Sequence, residues 1–211
     1  MASWERLPGL ERIDDAGRVA LTFDDGPDPD ATPAVLDALD AAGVKATFFV
    51  VGEQLERHWR IGREAQERGH ELALHGYSHP HHDELVPPAA RDEVARGMGA
   101  FEAALGRRPT LFRPPYGRFS DASFAACGSL KLQPVYWSAW GMDWEAIGPG
   151  RIAELACRDL AGGMILLLHD SARYADRASA EPTAEALPRI AARAAELGLE
   201  LGPIGGPEPA A

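Results

Sequence analysis

The sequence predicts an α/β fold, a distorted (β/α) barrel of about seven parallel strands, which would place an active site at the carboxyl ends of the strands. Two observations carry this prediction. Short apolar segments alternate with amphipathic segments of helical length, without a long linker between them. The segment 164–168 is apolar throughout, which is typical of a parallel strand buried on both faces. An open, doubly wound sheet is the alternative.

The predicted elements follow one another in a regular order. Strands are expected at 18–23, 45–51, 71–74, 110–113, 133–137, 164–168 and 199–204. Helices are expected at 32–42, 54–68, 88–105, 120–127, 149–160 and 183–197. Thr32 before Pro33 is typical of a helix start, and Gly43 of a helix end. We therefore expect one domain over 18–205, an N-terminal extension over 1–17 and a tail over 206–211.

Composition and charge narrow the classes of partner. The 211 residues are 45% hydrophobic and carry a formal net charge of -11, which fits one globular domain. This charge repels phosphates and so argues against nucleic acid and anionic membrane surfaces. No segment predicts membrane insertion, and 1–15 lacks the apolar run of a signal peptide. We expect the chain as given to be cytoplasmic, or secreted or in the cell envelope if a signal was removed; the oligomeric state stays open.

Several polar residues share one position, just after a predicted strand. The loops after the strands of a parallel barrel lie on one face, so we expect these residues to meet. They are Asp24, Asp25, His75, His79, Arg113, Asp143 and His169.

Asp24 and Asp25 leave their strand in different directions, so one could bind a metal ion while the other takes a proton. His75 and His79 could face the same ion, and two imidazoles with one carboxylate leave a coordination position open for water. These ligand types suit zinc first, with cobalt, manganese, nickel and iron as alternatives. Taken structurally, the same residues are an acidic turn and a solvated histidine loop.

Three further motifs could complete a site, and each has a structural alternative. Arg113 could hold a carboxylate in its ionised form, or form a surface ion pair. The tryptophans of 136–144 could stack on sugar rings, or pack in the core, as we expect of Trp137. His169 could act as a general acid, or be a buried histidine with satisfied hydrogen bonds. We interpret His81 and His82 as exposed loop residues.

The five motifs together resemble those of the polysaccharide deacetylases, carbohydrate esterase family four, in the same order over about 19–170. They are Thr22–Pro27, His75–Pro80, Phe112–Gly117, Tyr136–Trp144 and Ile165–Asp170. The resemblance implies a metal-dependent hydrolase that removes N-acetyl groups from N-acetylglucosamine-containing glycans, either chitin oligosaccharides or peptidoglycan. The domain over 18–205 would then be its catalytic domain.

The resemblance also implies a role for each matching residue. By that match Asp24 is the general base, Arg113 orients it, His169 is the general acid, Asp143 tunes the acid, and Asp25, His75 and His79 hold the metal. On the substrate side, the backbone N–H of Tyr116 matches the oxyanion donor, Trp144 a hydrophobic wall and Leu167 the pocket for the acetyl methyl group.

Two positions depart from the family pattern. Gly76 stands where a serine or threonine usually braces the histidine loop, so we expect a looser loop and a weaker metal site. Trp140 stands where many members have a small polar residue, so we expect a reshaped substrate groove. The alternatives in function are an O-acetyl xylan esterase, an amidase for small cyclic amides, or a catalytically silent glycan-binding barrel.

The two cysteines, Cys127 and Cys157, lie in alanine-containing helical segments. We interpret both as small buried residues, with a disulfide between them left open.

Overall fold

The named strands form one sheet in which every neighbouring pair is parallel. The structure is a computed structural model and describes residues 7–206. The strands are β1 (Arg18–Asp24), β2 (Thr47–Val50), β3 (Glu71–Leu74), β4 (Leu111–Phe112), β5 (Gln133–Pro134), β6 (Ala139–Trp140), β7 (Ile165–His169) and β8 (Glu200–Gly202). Their order is β5-β4-β3-β2-β1-β7-β6, and β8 also pairs with β1.

The sheet curls into a distorted, incomplete barrel, which confirms the predicted fold. Ala20 pairs with Ile165 and with Gly202, so β8 lies on the β2 side of β1 at the amino ends of the strands. Within residues 7–206, β5 and β6 stand at the two ends of the order and do not pair with each other. The segment 10–13 spans this gap, with bridges to Val135 and Met164.

Within residues 7–206, seven α-helices follow the strands. They are α1 (Thr32–Ala42), α2 (Gly52–Arg57), α3 (Trp59–Glu67), α4 (Pro87–Leu105), α5 (Asp121–Leu130), α6 (Pro149–Cys157) and α7 (Glu181–Glu196). The single helix predicted over 54–68 is wrong, because the backbone leaves the helical region at His58 (φ -122, ψ 36) and divides it into α2 and α3. Across the described chain, no helix has the length and apolar character needed to cross a membrane.

The strand predicted over 133–137 is shorter in the structure because the chain crosses between the two ends of the sheet. After β5 it leaves the sheet, and the N–H of Ser138 donates to the carbonyl of Ile165 on β7. The sequence did not predict β6, which follows at once and pairs with β7. This crossing brings the segment after β6 beside the carboxyl end of β7.

Alternation along the strands separates two apolar clusters. Leu21 and Leu166 face outward and pack in the large cluster that includes side chains of α1, α6 and α7. Ala20, Phe49 and Ile165 belong to the cluster inside the barrel. Because side chains alternate with a period of two, the inward positions continue to the polar ends of β1 and β7.

The two cysteines lie on different helices and are not paired with each other. Cys127 is buried and Cys157 half-buried. Burial raises the pKa of the Cys127 thiol to about 12, so it is a protonated apolar residue at neutral pH.

The glycine at 162 gives a test of the contact between the N-terminal segment and the barrel. A Cβ at Gly162 would overlap the carbonyl oxygen of Ala16, whereas a Cβ at Gly99 in α4 would meet nothing within 4 Å. We expect Gly162→Ala to lower the free energy of unfolding by about 1–3 kcal/mol. Gly99→Ala should raise it by about 1 kcal/mol, since alanine favours a helix. Urea unfolding measures both, and equal stability of the two variants would contradict the contact.

Candidate active site

A cavity of about 340 Å³ opens at the carboxyl ends of the strands and collects most of the predicted site residues. Asp24 is the last residue of β1 and His169 the last of β7, and the two are register partners. His75 follows β3 directly, and Arg113 follows β4. The predicted residues that line the cavity are Asp24, Asp25, His75, His79, Tyr116, Trp144, Leu167 and His169.

Asp25, His75 and His79 form a cluster with the donor set of a metal site. One ligand atom from each lies within 4.8 Å of the others, and all three residues are buried. Oδ1 of Asp25 is 3.0 Å from Nε2 of His79 and 3.5 Å from Nε2 of His75. These distances are short, yet in the described chain Oδ1 accepts no hydrogen bond of acceptable geometry. A buried carboxylate oxygen aimed at two imidazole nitrogens is what a divalent cation would satisfy.

The protonation states of this cluster also suit a metal ion. Nδ1 of His75 lies 2.7 Å from the carbonyl oxygen of Arg113, which can only accept, so Nδ1 donates and Nε2 is the nitrogen that faces Asp25. Burial lowers the pKa of His79 despite the nearby Asp25, so its imidazole is neutral at pH 7. Burial would raise the pKa of Asp25, but the neighbouring imidazoles of His75 and His79 outweigh it and lower that pKa.

Asp24 is held by a different partner from Asp25. Nη1 of Arg113 lies 2.6 Å from Oδ1 of Asp24 and also donates to the hydroxyl of Thr22 at 2.9 Å. Nη2 of Arg113 donates to the carbonyl of Tyr136 at 2.9 Å. Arg113 is 0% exposed, so this is a buried ion pair and not the surface pair that the sequence left open. The guanidinium fixes the orientation of the Asp24 carboxylate and leaves Oδ2 facing the histidines.

His169 and Asp143 form the second buried pair. Nδ1 of His169 and Oδ1 of Asp143 are 2.8 Å apart, and the N–H of His169 donates to Oδ2 at 2.8 Å. Burial would lower the pKa of His169, but the Asp143 carboxylate outweighs it and raises that pKa to about 9. His169 is therefore an imidazolium at neutral pH, with its Nε2 edge available to the cavity.

Sequence reasoning missed the residues that hold Asp143. The hydroxyl of Thr183 donates to Oδ2 of Asp143 at 2.7 Å, and Nη1 of Arg177 lies 3.6 Å from the same oxygen. Nη2 of Arg177 donates to the carbonyls of His169 and Ser171. Both residues come from the segment after β7, where no local pattern in the sequence points to a site.

Aromatic rings form one wall of the cavity, and Leu167 adds an apolar surface. Trp144 packs edge-on against His169, with ring centroids 5.7 Å apart. Tyr174, which the sequence did not suggest, stacks on His79 at 4.0 Å and accepts a hydrogen bond from Gln54. Tyr116 lies at the rim with its backbone in the left-handed region at φ 58. The oxyanion role of its N–H stays a prediction.

Three further residues that the sequence singled out are His81, His82 and Trp140. His82 is 0% exposed and packs near Phe112, so its interpretation as an exposed residue is wrong. His81 is half-buried and stacks on the ring of Tyr116 at 3.7 Å. Trp140 lies in a separate surface groove with Met142 and Met164, away from the described lining of the catalytic cavity. Trp140 therefore does not line that cavity, and its effect on the substrate groove stays a prediction.

Comparison with known proteins decides the family. The profile of the polysaccharide deacetylases matches residues 12–135, more than half of the chain. The chain belongs to the polysaccharide deacetylase family. A peptidoglycan-N-acetylglucosamine deacetylase of Bacillus cereus is 34% identical over 171 residues, covering 80% of this chain and 76% of the relative. A chitooligosaccharide deacetylase of Bradyrhizobium sp. is 34% identical over 193 residues, covering 88% of each.

Solved structures agree with this assignment. A family 4 carbohydrate esterase from Streptomyces lividans in complex with acetate superposes with a TM-score of 0.80 at 33% identity, covering 89% of this chain and 93% of that one. A pseudoenzyme of the same family from Bacillus anthracis superposes with a TM-score of 0.79 at 25% identity, covering 90% of this chain and 64% of that one. The fold is therefore shared by active and inactive members, and activity has to be argued from the site.

The pair of His169 and Asp143 predicts the pH dependence of a deacetylase of this family. Asp143 raises the pKa of His169 to about 9. The protonated form of His169 is therefore present below this pH and is lost as the pH rises through it. In Asp143→Asn the alkaline limb of kcat/KM should therefore move to lower pH by about one to two units. The measurement is the pH profile of deacetylation for both proteins, and an unchanged alkaline limb would contradict the pairing.

Proposed function

We propose that this chain is a metal-dependent hydrolase that removes N-acetyl groups from N-acetylglucosamine-containing glycans. One observation carries the proposal. The cavity brings together a three-residue donor set for a divalent cation, a carboxylate fixed by a buried arginine, and an imidazolium paired with a second carboxylate. Each of these groups can serve amide hydrolysis, because a cation polarises the carbonyl, the carboxylate takes a proton from water and the imidazolium gives one to the amine.

The metal would be held by Asp25, His75 and His79, and zinc is the ion we propose first from these ligand types. When bound, such an ion polarises a carbonyl oxygen and lowers the pKa of water from ~16 towards ~7. Three protein ligands are the number that catalytic zinc sites use, in contrast to the four of structural sites.

Asp24 is the proposed general base. Its Oδ1 is taken by Arg113, while Oδ2 lies 3.8 Å from Nε2 of His75 at the edge of the donor set. A water molecule between this carboxylate and the acetyl carbonyl would pass its proton to Oδ2. The guanidinium pairs with the carboxylate in a buried place, so the base is held in position before substrate arrives.

His169 is the proposed general acid. Its pKa of about 9 keeps it protonated at neutral pH, and it can donate that proton to the departing sugar nitrogen. Without this proton the leaving group would be an amide anion, which leaves very poorly. Base and acid therefore hold opposite protonation states at the same pH, because Arg113 faces one and Asp143 faces the other.

The substrate class rests on the named relatives and on the shape of the cavity. Leu167 offers an apolar surface for the acetyl methyl, and Trp144 and Tyr116 offer aromatic surfaces for a sugar ring. The relatives act on peptidoglycan and on chitooligosaccharides, both of which contain N-acetylglucosamine. We propose glycans with this sugar as the substrate.

Acetate release tests the proposal. N-acetyl-chito-oligosaccharides and peptidoglycan fragments would be assayed before and after chelation, and again with zinc, cobalt or manganese restored. We expect release that chelation abolishes and metal restores. No release with any metal would favour another amide or ester substrate or a silent barrel, and chelator-resistant release would reject the metal site.

Two variants separate the base from the metal ligands. Asp24→Asn should lower kcat by about 100-fold or more while keeping the metal, because only the proton acceptor is lost. His79→Ala should lose metal and activity together, since one of three donors is gone. Metal content by emission spectroscopy and acetate release are measured on the same samples, with Asp92→Asn on the exposed face of α4 as the control. Full metal occupancy in His79→Ala would remove it from the ligand set.

A change of leaving group isolates the role of His169. We expect His169→Ala to slow amide hydrolysis by about 100-fold or more and hydrolysis of an activated aryl acetate by less than about 10-fold. The phenolate of the ester leaves without a proton, whereas the amine does not. Equal losses on both substrates would argue against a general acid.

A further inference from the structure

The loop 75–79 carries two of the three candidate ligands in an unfavourable backbone conformation. Gly76 has φ 79 and His79 has φ 67, and the second value is uncommon for a residue with a side chain. Gly76 also brings no hydroxyl that could brace the loop. Nδ1 of His79 is buried and has no hydrogen-bond partner within residues 7–206, so the ring is not oriented by a hydrogen bond of its own. Apart from the stacking of Tyr174, the position of His79 therefore depends on what holds the loop backbone.

One side of the loop is held by the start of α2. The N–H of Gly52 donates to the carbonyl of Gly76 at 3.0 Å, and the N–H of Glu53 donates to the carbonyl of Tyr77 at 2.8 Å. These amides belong to the first turn of a helix, where they have no partner inside the helix. These two carbonyls are satisfied in this way, but the N–H groups of Tyr77 and Ser78 still need acceptors.

Glu93 on α4 supplies those acceptors. Its Oε2 accepts from the N–H of Tyr77 at 3.1 Å and from the N–H of Ser78 at 2.9 Å. Its Oε1 accepts from the hydroxyl of Ser78 at 2.8 Å. One turn later on α4, a Cβ at Gly97 would lie 2.7 Å from the carbonyl oxygen of Gly76, so only glycine lets the helix come this close.

The groups that face Glu93 suit a carboxylate. All three groups facing Glu93 donate, and an ionised carboxylate offers two oxygens that only accept. Glu93 is buried, and charge-assisted hydrogen bonds offset the cost of burying it. A glutamine would lose the charge and keep only one acceptor oxygen, so its hydrogen bonds to the loop would be weaker, and the Ser78 hydroxyl would have to turn to accept from the NH₂ group.

We propose that Glu93 is a positioning residue that holds the loop 75–79 in the geometry that binds the metal ion. Removing Glu93 should weaken metal binding more than it disturbs the fold, because the loop would lose two backbone hydrogen bonds and one side-chain hydrogen bond close to two ligands. This inference rests on the metal site of the proposed function.

The test compares Glu93→Gln with Glu102→Gln, the same substitution on the exposed face of the same helix. Metal-free protein is titrated with zinc against a competing chelator, and with cobalt while its visible absorption is recorded. We expect Glu93→Gln to bind zinc about 10–100-fold more weakly, the range typical when a group that supports the ligands is changed. Its cobalt spectrum should change, its far-UV circular dichroism should not, and saturating zinc should restore most of kcat. Glu102→Gln should match the wild type throughout.

The outcomes separate the two proposals. If the wild type binds neither zinc nor cobalt, the metal site itself fails. If the wild type binds and Glu93→Gln binds equally well, Glu93 is only structural and the inference is overturned while the proposed function stands. If Glu93→Gln does not fold, Ser78→Ala decides, because it removes one of the three hydrogen bonds and keeps the carboxylate. If Ser78→Ala binds zinc as tightly as the wild type, the inference is overturned. If it binds zinc more weakly, by less than the loss expected for Glu93→Gln, the inference is supported.

Discussion

The buried guanidinium of Arg113 is the group on which the arrangement of the site depends. It joins the end of β1, through Asp24 and Thr22, to the chain that crosses the open side of the barrel at Tyr136. The carbonyl of the same residue sets the tautomer of His75. An unpaired charge in this place would cost several kcal/mol, so the arginine and the carboxylate are stable only together. Strand geometry and chemistry are thus coupled through one side chain.

The buried carboxylates of the site are each paired with a positively charged group. Asp143 has Thr183, Arg177 and His169 around it, and Asp24 has Arg113, so each carboxylate has its own positive partner. The two carboxylates, Asp24 and Asp143, therefore do not share a proton. Backbone strain is concentrated in the same region: of the five non-glycine residues with positive φ in the described chain, Asp25, His79 and Tyr116 line the cavity. Such strain persists only where surrounding contacts hold it, as Glu93 and α2 do for the histidine loop.

Much of this could be predicted from the sequence because the relevant signals are local. The alternation of short apolar segments with amphipathic segments located most of the strands. The geometry of a parallel barrel then predicted that polar residues at the strand ends, such as Asp24 and His169, lie together at one end of the barrel. The residues that were missed act across long sequence separations. Glu93 sits on an ordinary helix, and Arg177 lies in an irregular segment, so neither has a periodic signal. The break at His58 and the burial of His82 likewise depend on packing that no short window of sequence contains.

The placement of the chain's described C-terminal end has a practical consequence. Pro203 accepts from Arg18, Ile204 donates to Thr47 and Gly205 donates to Glu71, and these three partners are the first residues of β1, β2 and β3. This end therefore leaves the barrel on the floor opposite the cavity. A protein immobilised on a bead or electrode through this end would point its mouth away from the support. Such an orientation would leave the cavity open to a large substrate, because the support would not compete with the substrate for access.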